Sequence, residues 1–239
     1  MIQIESPDNK NFKYFKSLLS SKGLKKEGHS LVMGDGLSSE LKKLFPESKT
    51  IHFEESQSPD YLLSKSLFQS LATIKTNSAI LLMPFQTPKE YNFKEKSFDV
   101  FLPVGDPKNL GALIRTSLAF GVERIVLLKE AAHPFLPESI RSSSGSVFKA
   151  PLFKGPSIKD LSSEALWTLD KEGSSLYDWK PESLNKVKLL IGEEGGNISE
   201  KQRNQSLSIP ISSEIESLNV NSALSCTLMW LRSLEPLHG

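Results

Sequence analysis

The sequence predicts an α/β protein whose larger, C-terminal part holds a parallel sheet with helices on both faces. From residue 96 onward, short apolar runs alternate with helical patterns, and the segments between them are rich in Gly, Ser and Asn. Strand–loop–helix units in series are typical of parallel sheets, because a parallel crossover needs a connection as long as a helix. The chain of 239 residues is long enough to bury one large core or two modest ones.

The composition excludes several classes of protein. The net charge of +1 excludes a polycationic chain of the histone kind, and the single cysteine, Cys226, excludes a disulfide framework and a Cys-only zinc site. No apolar run approaches the ~20 residues of a membrane span, and the N-terminal segment lacks the apolar core of a signal peptide. We therefore expect a cytoplasmic protein without membrane or DNA partners. We also expect no metal site, since the four histidines show no ligand spacing: His29, His52, His133 and His238.

Residues 1–95 predict a small α/β domain that precedes a second domain over residues 96–239. Apolar spacing predicts helices over 9–21, 37–45 and 58–70, and strands over 30–33 and 79–83. The polar stretch 87–97, which contains Pro88, is predicted to be the linker. Lysines interleaved with aromatic residues over 9–26 are candidates for a phosphate-contacting surface.

The second part predicts five strands and two long helices. The strands are expected over 98–103, 124–128, 166–169, 188–191 and 209–211, and the helices over 110–120 and 219–234. In open parallel sheets ligands bind in the loops at the carboxyl ends of the strands. We therefore expect chemistry at 105–115, 191–199 and 209–220.

Taken singly, residues in these loops leave alternatives open. The loop that begins at Gly192 matches neither the dinucleotide nor the P-loop glycine spacing, so an ordinary tight turn also explains it. Asn109 could cap a helix, and so could Ser217 or Asn219. Arg115, which lies among apolar helical neighbours, could form a salt bridge or serve a site.

Taken together, the loops resemble the SpoU (TrmH-like) branch of the SPOUT RNA methyltransferases over roughly residues 98–234. The resemblance is carried by DPKNLGALIRTSLAFGVERIVLL (106–128), SIRSSSGSVFKAPL (139–152), LLIGEEGGNIS (189–199) and IPISSEIESLNVNSALS (209–225), in the family's order. Asn197 stands where many relatives have glycine, and Asn221 stands where serine is common. The N-terminal part resembles, more loosely, the small substrate-binding domain that often precedes this catalytic domain.

The resemblance implies an α/β-knot, in which the C-terminal segment threads a loop to form a deep trefoil knot. It implies a homodimer that binds S-adenosylmethionine and methylates a ribose 2′-hydroxyl in rRNA or tRNA. By position, the implied catalytic residues are Arg115, Asn109 and Glu194, and Arg141 and Ser143 are implied to hold RNA. The residues implied to line the cofactor pocket are Leu169, Gly192, Ile209, Ser217, Leu218 and Asn219.

The chemistry fits this set of residues. Methyl transfer from a sulfonium requires alignment of methyl and oxygen and removal of the hydroxyl proton, and it needs no metal. A guanidinium is a poor base at neutral pH, since its pKa is ~12 or above, so Arg115 would stabilise the developing alkoxide while the proton leaves to phosphate or water. Two alternatives remain: methylation of a base nitrogen within the same fold, and an RNA-binding protein without catalysis.

Overall fold

The computed structural model describes residues 1–94, 96–161, 166–192 and 205–235. The chain forms two compact units. The first comprises Met1–Thr87 together with His133–Phe148, and the second comprises Pro88–Ala132 together with Lys149–Gly239. The segment 133–148, which carries Arg141 and Ser143, therefore packs with the N-terminal residues.

The first unit contains a five-stranded mixed sheet and short helices. In the sheet order β1-β4-β3-β5-β2, β4 is parallel to β1 and to β3, and β5 is antiparallel to β3 and to β2. Its strands are β1 (Ile2–Ile4), β2 (His29–Val32), β3 (Lys49–His52), β4 (Tyr61–Leu63) and β5 (Ile80–Pro84). Its helices are α1 (Lys10–Ser17), α2 (Ser21–Glu27), α3 (Asp35–Leu44), α4 (Lys65–Leu71) and, from the later segment, α6 (Pro137–Ser142).

One predicted helix of this unit is wrong in its first half. The helix predicted over 58–70 is a strand, β4, followed by α4, whose N-cap is the Ser64 side chain accepting from the Leu67 backbone N–H. Tyr61–Leu63 becomes a strand because it pairs on both sides, with β1 and with β3, neither of which the sequence predicted. Pairing with distant strands overrides local propensity here.

The core of the first unit is an apolar cluster between the sheet and its helices. The aromatic rings of Phe12, Phe15 and Phe68 are buried in it beside Ile4 and Leu31. Helical spacing places Phe12 and Phe15 on one face of α1, which explains why this short and otherwise polar helix stays docked on the sheet.

The second unit contains a sheet whose seven described strands are all parallel. Their order is β12-β10-β11-β7-β8-β9-β6. The strands are β6 (Lys89–Glu90), β7 (Asp99–Leu102), β8 (Arg124–Leu127), β9 (Leu152–Lys154), β10 (Trp167–Ser175), β11 (Lys188–Leu190) and β12 (Ser206–Ser208). Two long helices pack together beside the sheet, α5 (Pro107–Ala119) and α7 (Val220–Leu234). No helix in the described ranges is both long and apolar enough to cross a membrane.

Two predictions for this unit differ from the structure. The polar stretch predicted as a linker contains β6, which pairs with β9 at the edge of the sheet. The last strand lies at Ser206–Ser208 rather than at 209–211, because Leu207 is the residue that pairs with Leu169 of β10. The trefoil knot implied by the resemblance stays a prediction.

A row of charges crosses three neighbouring strands at their amino ends. Asp99 of β7 is in register with Arg124 of β8 on one side and with Lys188 of β11 on the other. The segment after β6 covers this row: the Tyr91 hydroxyl donates to Asp99, and the main-chain carbonyls of Asn92 and Phe93 accept from Arg124 and Lys188. These contacts lie at the amino ends of the strands, whereas the loops in which chemistry is expected lie at the carboxyl ends.

Candidate functional site

Three of the residues implied for the cofactor lie at one level of the parallel sheet. The register pairs Leu190 with both Phe101 and Thr168, and Leu169 with Leu207. Leu169, Gly192 and Ile209, on or just after three adjacent strands, are therefore within two residues of the same level. Gly192 and Ile209 follow the carboxyl ends of β11 and β12, whereas Leu169 is the third residue of β10, which continues to Ser175. All three are half-buried, whereas the strand residues before them, such as Leu190 and Leu207, are buried.

The loop after β7, the first of the three loops, leads into α5, and the side chain of Asp106 fixes where that helix begins. The Asp106 carboxylate accepts from the Asn109 backbone N–H at 2.8 Å, and Pro107 occupies the first helical position. Asp106 is thus the cap, and the Asn109 side chain, half-buried in the first turn, is not used for capping. The Asp-Pro pair is a sequence signal that could have identified this cap.

Arg115 extends from the exposed face of α5. The helix itself is held by the buried side chains of Leu110, Leu113 and Ile114 on its other face. The next residue, Thr116, donates its hydroxyl to the Asn221 side-chain oxygen at 2.8 Å. The helix that carries Arg115 is therefore bonded to the first turn of α7.

The third loop ends at the N-cap of α7. The Asn219 side-chain oxygen accepts from the Asn221 backbone N–H at 3.0 Å, so Asn219 is the cap, which was one of the two options that the sequence left open. Ser217 is exposed and Leu218 is half-buried just before it. The chain thus places Ser217–Asn219 directly beside the helix that is bonded to α5.

The second loop begins inside the described structure and continues outside it. The Ile191 backbone N–H donates to the Phe101 carbonyl at 3.1 Å, which extends the pairing of β11 with β7 to Ile191, the residue before Gly192. Glu194, the third implied catalytic residue, lies outside the described residues.

The two residues implied to hold RNA differ in their exposure. Ser143 is completely buried, and its hydroxyl donates to the Ile140 carbonyl at 2.9 Å. Arg141 is half-buried, and its Nη1 atom has no hydrogen-bond partner within the described part of the chain. The two residues after Ser143 have positive φ, 49° at Ser144 and 74° at Gly145. Ser143 can therefore shape this tight turn, while the Nη1 atom of Arg141 is buried beside it without a hydrogen-bond partner among the described residues.

The sequence did not identify the residues that join α5 to α7. Besides Thr116 and Asn221, Arg232 joins the two helices: its Nε and Nη2 atoms donate to the carbonyls of Phe120 and Gly121, at 2.7 and 2.8 Å. No sequence pattern relates positions more than one hundred residues apart. Within the described ranges no group of His, Cys, Asp and Glu has the arrangement of a metal site.

Residues 100–229 match the SpoU rRNA Methylase family. Over this stretch the parallel sheet, α5 and α7 carry the loops just described, and the match covers more than half of the chain. The chain belongs to this family.

Two relatives show how far the similarity extends. The 23S rRNA (guanosine(2553)-2′-O)-methyltransferase of Bacillus subtilis is 28% identical over 97% of this chain and 100% of its own length. The ribosomal RNA small subunit methyltransferase G 2 of Syntrophobacter fumaroxidans is 31% identical over 97% of this chain. The chain spans about half of that second relative, 49% of its length.

The fold is shared with solved structures. The AdoMet-bound rRNA methyltransferase from Sinorhizobium meliloti has a TM-score of 0.77 and 22% identity, and the match covers 99% of this chain and 98% of that one. This likeness extends over both units and confirms the α/β fold class that the resemblance implied.

Proposed function

We propose that this protein is an S-adenosylmethionine-dependent methyltransferase that modifies a ribose 2′-hydroxyl of ribosomal RNA. The observation that carries the proposal is the convergence of motif residues at one edge of the parallel sheet. Leu169, Gly192 and Ile209 lie within two residues of one level there, and the Thr116–Asn221 bond joins the helix of Arg115 to the loop of Asn219. A binding protein without catalysis would not require this combination.

The residues at this edge fit the proposed cofactor. Half-buried apolar side chains of Leu169, Ile209 and Leu218 are suited to the faces of an adenine ring, and backbone groups of the loops are suited to its polar edge. Gly192 has no side chain that could obstruct a ligand. When bound, S-adenosylmethionine supplies an electrophilic methyl group on a sulfonium.

Arg115 is proposed to act on the other reactant. As the ribose hydroxyl loses its proton, negative charge develops on the oxygen, and a guanidinium beside it stabilises that charge. The proton leaves to a phosphate or to water, because arginine does not act as a base at neutral pH. Asn109, which is half-buried six residues earlier on α5, and Glu194 are proposed to orient Arg115 and the substrate.

Ribosomal RNA is the proposed substrate, since the relatives described above bear the names of rRNA methyltransferases and one of them is matched over its whole length. An rRNA substrate implies a cytoplasmic location. The N-terminal domain, over about residues 1–95, is proposed to bind RNA through the lysines of residues 9–26. Arg141 is proposed to contact a phosphate. Ser143 would support Arg141 by holding the turn.

We further infer a homodimer. Apolar side chains are exposed on α7 and on the loop before it, with Met229 at 62% and Ile215 at 57% exposure. Exposed apolar side chains of this size are favourable when a second copy covers them. Sedimentation analysis of the wild type against Met229→Lys tests this: we expect a dimer for the wild type and a shift towards monomer for the variant, and a monomeric wild type would contradict it.

The experiment that tests the function has two parts. Calorimetric titration with S-adenosylhomocysteine should show saturable binding at one site per chain. Transfer of labelled methyl from S-adenosylmethionine to ribosomal RNA should then be detected, and alkaline hydrolysis should leave the modified phosphodiester intact, since 2′-O-methylation blocks its cleavage. A label that is found on a base would instead support the base-nitrogen alternative, and a well-folded protein that binds no S-adenosylhomocysteine would contradict the proposal.

Arg115→Ala tests the assignment of the catalytic residue. It should lower kcat by about 100-fold or more, because the alkoxide loses its stabilising charge, while S-adenosylhomocysteine still binds. Lys186→Ala is the matched control, since it removes one exposed cation at the opposite edge of the sheet. Near-complete turnover by Arg115→Ala would contradict the assignment.

A further inference from the structure

We propose that Thr116 and Asn221 form a positioning pair that sets the place of Arg115 relative to the Ser217–Asn219 segment. The inference rests on the proposed function and adds two residues to it. Neither residue is among those proposed above to bind cofactor or RNA. Their bond joins the two segments whose alignment methyl transfer requires.

The geometry makes this bond a tight constraint. The Thr116 hydroxyl lies 2.8 Å from the Asn221 side-chain oxygen, between positions 105 residues apart in the chain. Both side chains are short, with the bonding oxygen one or two carbons from the backbone. A hydrogen bond between them therefore fixes the separation of the two helix backbones within a narrow range.

The bond is connected on each side to a residue of the proposed site. On α5, Thr116 directly follows Arg115 in the chain. On α7, the backbone N–H of Asn221 donates to the side chain of Asn219, the N-cap that ends the proposed cofactor segment. A displacement at either end of the bond would thus move Arg115 and the cofactor segment relative to one another.

A second contact, made by Arg232, also holds α5 and α7 together. Arg232, near the opposite end of α7 from Asn221, bonds to the carbonyls of Phe120 and Gly121 just after α5, so the helix pair stays together when the Thr116–Asn221 bond is removed. Loss of the bond would then let the two segments shift without separating the helices. Errors of about 1 Å in such alignments can lower rates by about 100-fold.

The test compares Thr116→Val, which removes the hydroxyl, with Thr116→Ser, which retains it. Thr116→Val should lower kcat by about tenfold or more with little change in the Kd for S-adenosylhomocysteine, and Thr116→Ser should restore kcat to near the wild-type value. Thr227→Val is the matched control, because the Thr227 hydroxyl bonds within α7 itself, to the Ala223 carbonyl at 2.9 Å, rather than to α5. It should retain kcat.

A double-substitution cycle assigns the effect to the pair. Asn221→Leu removes the acceptor but leaves the cap of α7 in place, since Asn219 receives its bond from the backbone of residue 221. If the two residues act through one bond, Thr116→Val combined with Asn221→Leu should be no slower than the slower single variant.

The outcomes separate the two proposals. Thr116→Val with wild-type kcat, or an equal loss of kcat in Thr116→Val and Thr116→Ser, would overturn the positioning role while leaving the methyltransferase intact. A wild-type protein that binds S-adenosylhomocysteine but transfers no methyl group to ribosomal RNA would overturn the proposed function, and with it the positioning role.

Discussion

Arg124 and Asp99 form an ion pair that is almost completely shielded from solvent. The Arg124 Nε atom lies 3.1 Å from Oδ1 of Asp99, and the two side chains are 6% and 0% exposed. The hydroxyl groups of Tyr91 and Ser97 also donate to the Asp99 carboxylate, and the Arg124 guanidinium lies 4.8 Å from the centroid of the Tyr91 ring. A buried pair with this many additional partners stabilises the fold only while both members are present.

Asp99→Asn should therefore destabilise the second unit strongly. Removing the negative charge leaves the guanidinium buried without a counterion, at a cost of about 3 kcal/mol or more. Urea unfolding followed by circular dichroism measures this. Glu182→Gln is the control, since it breaks an exposed pair with Lys186 and should leave stability unchanged. Equal effects of the two substitutions would show that burial is not what makes the Asp99 pair important.

Gly173→Ala should disrupt the pairing of β10 with β12. A Cβ at Gly173 would lie 2.5 Å from the carbonyl carbon of Ser206 and 2.6 Å from the backbone nitrogen of Leu207, and neither backbone atom can move without breaking the sheet. We expect a lower melting temperature and weaker binding of S-adenosylhomocysteine, because β10 also carries Leu169. Gly36→Ala, in α3 with open space around it, should retain or slightly raise stability. A variant Gly173→Ala that melts like the wild type would contradict the close approach.

Asp60 should make the first unit sensitive to acid. Hydrogen bonds from the Thr50 backbone N–H, and secondarily from its hydroxyl, hold the pKa of Asp60 below its ordinary value of 3.8. Because the folded pKa is below the unfolded one, the stabilisation is complete at neutral pH and is lost as the pH falls below about 4 and through the folded pKa. Asp60→Asn should accordingly lower stability at about pH 7 and have a smaller effect at about pH 3.

The prediction for Asp60 is checked by thermal unfolding of the wild type and of Asp60→Asn between about pH 3 and about pH 7. Thr50→Val should have an intermediate effect, since it removes the hydroxyl group, which donates to the Asp60 carboxylate and accepts from the Asp60 backbone N–H, but leaves the bond from the Thr50 backbone N–H to the carboxylate. If Asp60→Asn lowered stability equally at both pH values, the loss would not come from ionisation of this carboxyl.

Arg232→Lys should weaken the attachment of α7 to α5. The guanidinium donates to two successive carbonyls at the end of α5, a geometry that a single ammonium does not reproduce. We expect a loss of about 1 kcal/mol or more in chemical unfolding. Ser233→Ala, at the exposed neighbouring position, is the control and should cause no loss. An Arg232→Lys variant as stable as the wild type would show that one hydrogen bond from residue 232 is enough to hold α7 against α5.

Local sequence predicted much of the second unit. The helices expected over 110–120 and 219–234 are α5 and α7 with ends shifted by at most three residues, and the strand expected over 124–128 is β8. These elements carry strong apolar periodicity, which depends only on neighbouring residues. The first unit was predicted less well, because β1, β3 and β4 are three or four residues long and exist through pairing with one another.

For the candidate site, the sequence by itself determined the family and the order of the motifs, since these depend on which residues occur and at what spacing. The packing of distant segments decided which residues lie near one level of the sheet, that Ser143 is buried, and that Thr116 meets Asn221. The difference comes from the separation, along the chain, of the residues that interact. A cap or an apolar face is specified within a few residues, whereas strand register and bonds between helices depend on the packing of segments about a hundred residues apart.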